Sequence, residues 1–213
     1  TDRFVTLAKT PLDYEARTEY NLVIRVTDQD DLRSDATITV NVLDLNEAST
    51  FPETQPMLRS VDENSNIGTK VGIPVVATDV DGGARGEVRY YLGGTEATKF
   101  NLNVTSGQIT VAGTLDKETT ATYNLQVTAK DTTASPQSTV ASLTVTVADV
   151  NEAPTTTAAT FTASIPEESA AGTGIGAAIK DSVVDPDVGA THTFTVLSEP
   201  SSAVGKFSLN AQT

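Results

Sequence analysis

The sequence predicts an all-β protein assembled as a tandem array, on three observations. Short runs alternate apolar with polar or β-branched residues, as in Thr37-Ile38-Thr39-Val40-Asn41-Val42 and Leu143-Thr144-Val145-Thr146-Val147, the pattern of a half-buried strand. No window sustains a helical period, while Thr, Val and Ala abound and aromatics are few. Finally, Asp44-Leu45-Asn46-Glu47-Ala48 recurs 105 residues later as Asp149-Val150-Asn151-Glu152-Ala153, each copy directly after one of those runs. A chain of 213 residues with that period has room for about two modules of the size that buries a working core.

In chain order, Phe4-Val5-Thr6-Leu7 is already strand-like, and Leu12-Asp13-Tyr14-Glu15 leads into a strand at Tyr20-Asn21-Leu22-Val23-Ile24-Arg25-Val26 that stops at Asp28-Gln29-Asp30-Asp31. The 37–42 run then exits into the first acidic linker. A second unit repeats and completes this plan. After Val61-Asp62-Glu63-Asn64 and a Gly68-Thr69 turn, a strand is expected over Val71 to Ala77, closing at Asp79-Val80-Asp81. Further strands are expected around Glu87 to Leu92, Phe100 to Val104 and Gln108 to Val111, with Gly82-Gly83 and Gly93-Gly94 as turns. Leu115-Asp116-Lys117-Glu118 and Tyr123-Asn124-Leu125-Gln126-Val127 copy the Leu12 and Tyr20 segments at an offset of 103. A third unit restarts with Ile165-Pro166-Glu167-Glu168, a Gly172-Thr173 turn, Asp185-Pro186-Asp187, and Lys206-Phe207-Ser208-Leu209-Asn210 opposite Lys99 to Asn103. The expected organisation is the C-terminal part of a repeat over 1–48, a complete repeat over 49–154 and the N-terminal part of another over 155–213. Such a chain reads as a window on a longer array; the alternative is that the tail of one molecule completes the head of the next.

Composition narrows the function. There are 28 acidic residues against 14 Lys and Arg, a formal charge of −14, which repels nucleic acid and anionic membranes and favours divalent cations. Cysteine is absent, so there is neither a disulfide framework nor a thiolate metal site. No apolar run approaches the roughly 20 residues of a membrane-spanning helix, so a membrane anchor is expected elsewhere in the full protein. The acids are also patterned. Leu-Asp-x-Glu and Asp-x-Asp set two carboxylates two residues apart, which in extended chain share one side and repel. A hard cation relieves that repulsion, and calcium, which takes six to eight oxygens in flexible geometry, suits carboxylates, Asn side chains and backbone carbonyls.

These marks together resemble the cadherin repeat family: an early Glu (Glu63, Glu167), Asp-x-Asp (Asp79 and Asp81; Asp185 and Asp187), Leu-Asp-x-Glu (Asp13 and Glu15; Asp116 and Glu118), and Ala-x-Asp at Ala129-Lys130-Asp131. They occur in the family's order across essentially the whole chain. The resemblance implies tandem seven-stranded Greek-key, immunoglobulin-like sandwiches, extracellular at a cell surface, with Ca2+ clamped between repeats that meet other cadherin-like repeats in cis or trans. At the junction of units two and three it assigns Glu63, Asp116, Glu118, Asn151, Glu152, Asp185 and Asp187 as ligands; at the first junction, Asp13, Glu15, Asn46, Glu47, Asp79, Asp81 and Asp131. The linker departs from the family, with Glu in place of a second Asp and one residue fewer. In this it is similar to cadherin-like repeats of large microbial or marine surface proteins.

No catalysis is expected. His192 is the single histidine, set at an outward strand position without a nucleophile elbow, and repeated carboxylate pairs at every module end speak for structure over one cleft. The rival to a calcium-rigidified adhesive spacer is a passive or carbohydrate-binding module of a secreted adhesin or enzyme, for which Tyr90 and Tyr91 are the candidate sugar platform. Asn103-Val104-Thr105 has the form of a glycosylation acceptor. Arg85-Gly86-Glu87 receives no function.

Overall fold

The computed structural model describes residues 5–9, 11–83, 86–197 and 205–209; Phe4, Arg85 and Asn210, named above, lie outside them. The chain divides into two units, Thr1–Asp149 and Val150–Thr213.

The first unit opens with a hairpin of β1 (Glu19–Thr27) and β2 (Arg33–Asn41), antiparallel and in continuous register from Glu19↔Asn41 to Thr27↔Arg33. Its turn is shaped by Asp28, whose Oδ1 accepts the backbone N–H groups of Asp30 and Leu32, both at 2.9 Å. Arg25 and Asp35 face each other across the strands and form a two-bonded ion pair, each bond 2.7 Å.

A sandwich follows. Strands β3 (Met57–Asp62), β4 (Val88–Gly93), β7 (Thr122–Asp131) and β8 (Ser138–Ala148) form one sheet in the order β3-β8-β7-β4. Here β3 runs parallel to β8, and the other pairs are antiparallel. The opposing sheet contains the antiparallel pair β5 (Phe100–Leu102) and β6 (Ile109–Val111). It continues through residues 69–78. Val71 N–H donates to Ile109 O (2.9 Å), Val111 N–H to Thr69 O (2.9 Å) and Val75 N–H to Gly107 O (3.0 Å), while Thr50 and Thr78 exchange backbone bonds at its far end. Strand number seven is thus this bonded segment, and it is interrupted rather than regular. Gly72 sits at φ +58° and Pro74 has no N–H to give. A Cβ on Gly72 would stand 2.5 Å from Arg59 Cδ.

Alternation carries the core. On β7 Tyr123, Leu125, Val127 and Ala129 are buried and the residues between them largely are not; on β8 Ala141, Leu143, Val145 and Val147 do the same. Met57, Val71, Val75, Ile109, Val111 and Leu115 close the interior from the other strands, and Phe100 meets Tyr123 edge to face at 5.1 Å. Each such side chain contributes about 1.5–3 kcal/mol of burial, so two alternating strands suffice to hold the sheets together. Gly107 turns β5 into β6 at φ +68°, where a Cβ would lie 2.1 Å from Val75 O; only glycine allows the two backbones that close.

One inward position on β3 is charged. Arg59 is buried between Met57 and Val61, and all five of its N–H donors are used: Nε on Ile73 O, Nη1 on Glu53 Oε1 and Leu58 O, Nη2 on Glu53 Oε2 and Pro74 O. The guanidinium holds the Glu53 carboxyl below the usual range. It also takes up two carbonyls of the interrupted seventh segment, which an apolar residue could not do.

In the second unit, β9 (Thr155–Thr156) pairs with β10 (Val183–Val184), Thr155 facing Val184 as Thr50 faces Thr78 in the first. Backbone signs recur as well: Asn64 (φ +54°), Gly68 (+91°) and Gly72 (+58°) are echoed by Glu168 (+62°), Gly172 (+89°) and Gly176 (+70°). Residues 191–197, where an outward strand was expected around His192, carry no strand.

Candidate metal centre

Three pieces of chain build the acidic site of the first unit. Glu15 comes from the turn ahead of β1, Asp44 and Glu47 from the linker after β2, and Asp81 from the loop that precedes β4. One carboxylate oxygen from each lies within 4.8 Å of all the others. Asp81 is held from behind. Its side chain is 6% exposed, its Oδ2 accepts Glu47 N–H at 2.9 Å, and its own N–H is bound to Asp79 Oδ1 at 3.0 Å. Asp79 is anchored in turn by the Ser49 hydroxyl, which donates to Oδ2 at 2.8 Å.

Beside this group Asn46 donates from Nδ2 to Asp131 Oδ2 at 2.8 Å. Asp131 is buried and also accepts from Thr133 N–H, the Thr133 hydroxyl and Gln137 N–H. Burial alone would push its pKa up, but the bonds from Asn46, Thr133 and Gln137 outweigh burial and lower it to about 2. Among the described residues, Asp81 Oδ1 and Asn46 Oδ1 are buried and meet no hydrogen-bond partner. An unpaired buried oxygen costs stability unless something electropositive meets it. Glu47 shows the strain of the assembly, since burial and then the charges of Asp81, Glu15 and Asp44 raise its pKa.

A second group in the same unit joins Glu63, Glu118 and Asp149, again within 4.8 Å. Glu63 is 2% exposed and its Oε2 accepts Lys117 N–H at 2.8 Å. The Lys117 ammonium bonds Asp149 Oδ2 at 2.8 Å. A backbone hydrogen bond draws the Glu118 carboxyl down, but burial and the charges of Glu63 and Asp149 outweigh it and leave the pKa raised.

In the second unit the linker-to-loop bonding is repeated. Glu152 N–H donates to Asp187 Oδ2 (2.8 Å) and Asp187 N–H to Asp185 Oδ1 (3.0 Å), the counterparts of Glu47 with Asp81 and of Asp81 with Asp79. Asn151 Nδ2 bonds Glu152 O as Asn46 Nδ2 bonds Glu47 O. Where Ser49 tethers Asp79, the equivalent Pro154 has no hydroxyl; His192 takes that place, its Nε2 2.6 Å from Asp185 Oδ2, and holds Asp185 below its ordinary pKa.

Of the residues named from sequence, then, Glu15, Glu47 and Asp81 gather in one group and Glu63 and Glu118 in another. Asp13 and Asp116 serve their turns: Asp13 Oδ1 accepts Ala16 N–H, and both Asp116 oxygens are taken by Thr119. Asp79, Asp131 and Asp185 brace the loops. Sequence reasoning passed over Asp44 and Asp149, although they head the two repeated linkers, at the same offset as the ligands chosen behind them. Of the two tyrosines weighed as a sugar platform, Tyr90 is 7% exposed and its hydroxyl accepts Ala77 N–H at 2.9 Å inside the sandwich, while Tyr91 is 51% exposed.

Known proteins place this arrangement. The family profile described as the cadherin domain matches residues 58–148. Protocadherin Fat 4 of Mus musculus is 40% identical over 131 residues, 60% of this chain and 3% of that protein. Protocadherin gamma-A6 of Homo sapiens is 44% identical over 126 residues, 56% of this chain and 13% of that one. Among solved structures, mouse cadherin-23 EC22-24 superposes with a TM-score of 0.66 at 28% identity, covering 84% of this chain and 57% of that chain. The chain spans a small part of the curated relatives it matches. With its two-sheet sandwich, the segment over residues 58–148 is a cadherin domain.

Proposed function

We propose that this chain is a calcium-rigidified spacer of an extracellular, adhesive array, with repeats divided at 1–48, 49–154 and 155–213. One observation carries it: four carboxylates from turn, linker and loop converge within 4.8 Å, and a buried Asp81 oxygen among them has no hydrogen-bond partner among the described residues. Oxygens so spaced can share one ion with ligand distances of about 2.4 Å, the range of calcium, and the donor set contains no nitrogen or sulfur. Glu15, Asp44, Glu47 and Asp81 would hold the ion, with Asn46 Oδ1 alongside; Glu63, Glu118 and Asp149 would hold another. Calcium supplies the positive charge that lets these groups stay ionised together. Asp79 and Asp131 keep the loops in place, and Asp13 and Asp116 shape the Leu-Asp-x-Glu turns. Asn151, Glu152, Asp185 and Asp187 repeat the linker-and-loop bonding in the second unit, which supports the same use there.

Because the first group joins the hairpin, the linker and the sandwich, its ion would stiffen the linker and leave the faces of the sandwich for other repeats. Cadherin domains are adhesion modules, not enzymes, and extracellular ones. No helix among the described residues is long and apolar enough to cross a membrane.

Calorimetric titration with CaCl2 tests the reading. The wild-type chain should bind calcium, Asp81→Ala should lose one class of sites, and Glu118→Ala a different one. A wild-type titration without heat, or variants that bind as wild type does, would reject it.

A further inference from the structure

We infer that Asn103 is a site of N-linked glycosylation, and that the glycan covers one edge of the sandwich. Asn103-Val104-Thr105 is the single Asn-x-Ser/Thr triplet in the chain. It falls in the turn between β5 and β6, where Asn103, Val104, Thr105 and Ser106 are all exposed. The turn uses the oxygen of the Asn side chain and spares its nitrogen. Oδ1 accepts the backbone N–H groups of Thr105 (3.0 Å) and Ser106 (2.9 Å), and the backbone of Asn103 is bonded to Gln108 and Gly107. Among the described residues neither Asn103 Nδ2 nor the Thr105 hydroxyl has a hydrogen bond, and these are the two groups the modification needs: the nitrogen as acceptor of the sugar, the hydroxyl for recognition of the triplet.

The co-reactant is an oligosaccharide carried on a polyprenyl diphosphate. Nδ2 forms a C–N bond to the anomeric carbon, the C–O bond to the diphosphate breaks, and the lipid diphosphate leaves with the bonding pair. One amide proton passes to a carboxylate of the transferase. The folded turn accommodates the product unchanged, because Oδ1 keeps both of its bonds and the exposed nitrogen has no bond to lose among the described residues. Position adds a consequence. Beyond β6 the sheet continues into residues 69–78, so β5 is its outer strand, tied to β4 where Tyr90 N–H donates to Val104 O (2.9 Å), and a glycan on Asn103 would screen the rest of that edge from pairing with other chains. Adhesive contact would then fall to the β3-β8-β7-β4 face. The inference rests on the extracellular placement of the chain, not on calcium.

The test is expression of the 213-residue chain through the secretory pathway of a eukaryotic cell, with intact-mass measurement before and after a peptide amidase that converts glycosylated Asn to Asp. Wild type should be heavier by one core oligosaccharide, lost on amidase treatment to leave Asp at 103. Thr105→Ser should keep the added mass, and Asn103→Gln and Thr105→Ala should lack it. Thr105→Ala retains the Asn103 oxygen and the backbone N–H it accepts, so its loss of mass cannot be blamed on a broken turn. Secreted wild type at the bare polypeptide mass, or a glycan that persists in Thr105→Ala, would overturn the proposal. Failure to bind calcium would leave it standing and count against the spacer function alone.

Discussion

The two acidic groups of the first unit use the same Leu-Asp-x-Glu frame and differ at its variable residue. In the first, x is Tyr14, and the group retains a buried Asp81 oxygen with no hydrogen-bond partner among the described residues. In the second, x is Lys117, whose ammonium is bonded to Asp149. On the proposed reading, one frame thus yields a site open to an external cation and a site that carries part of its counter-charge in the chain. A divalent ion entering the second group must displace the ammonium from Asp149 or share the oxygen with it. Either course weakens its binding relative to a site with no ammonium, by an amount that salt and exposure keep modest, since Lys117 and Asp149 are both partly open to water.

The largest effect is expected from breaking what both sites share. Arg59→Ala removes a buried guanidinium and leaves the Ile73 and Pro74 carbonyls without its hydrogen bonds, at a cost of about 1–3 kcal/mol, while Glu53 is open enough to be rehydrated. Chemical denaturation should show this as a lower midpoint, and calcium binding at both groups should decline together. A smaller change separates the groups. Lys117→Tyr makes the second turn resemble the first and should tighten calcium there severalfold, with weaker dependence on salt; calorimetry showing equal or poorer binding would remove the counter-charge distinction.

Acidity offers the finest comparison. Glu47 and Glu118 have raised pKa values in the fold, so without calcium the folded chain binds more protons than the unfolded one just above pH 4.5, the ordinary value. Their contribution to stability therefore grows as pH falls through that window. Asp131 acts oppositely: its support is fully present above pH 3.8 and is lost as pH falls toward about 2. Calcium-free protein should thus pass through a stability maximum in mild acid, visible in melts at stepped pH, and calcium should shift that maximum toward neutral. A calcium-free chain whose stability falls steadily from pH 7 downward would contradict the crowding of carboxylates.

The strands were legible because β7 and β8 alternate without exception, and sequence alone assigned their faces. The 71–77 segment was legible as extended chain, but not its broken ladder, which depends on Gly72 meeting Arg59 across the sheets. Arg59 itself was invisible, since a charged residue at an inward position makes sense only once Glu53 and the Ile73 and Pro74 carbonyls surround it. Within the sites, the family resemblance led to Glu15, Glu47, Asp81, Glu63 and Glu118. It could not divide labour between neighbours. Asp116 is as acidic as Glu118, yet its shorter side chain reaches the Thr119 N–H first and stays in the turn. Asp44 and Asp149 were overlooked for the opposite reason: they stand at the last turns out of β2 and β8, where only the fold shows that they swing toward Glu15 and Glu63.

The parallel pairing of β3 with β8 has a mechanical meaning. Six consecutive register pairs, from Met57↔Leu143 to Asp62↔Ala148, join the first strand of the sandwich to its last. Tension along the array pulls β3 by its leading end and β8 by its trailing end, so the two strands are drawn past each other. The ladder is loaded in shear, with its bonds resisting at once instead of opening one after another as in an unzipped hairpin. If the chain serves as the proposed spacer, force therefore meets the sandwich first at a seam whose bonds share the load.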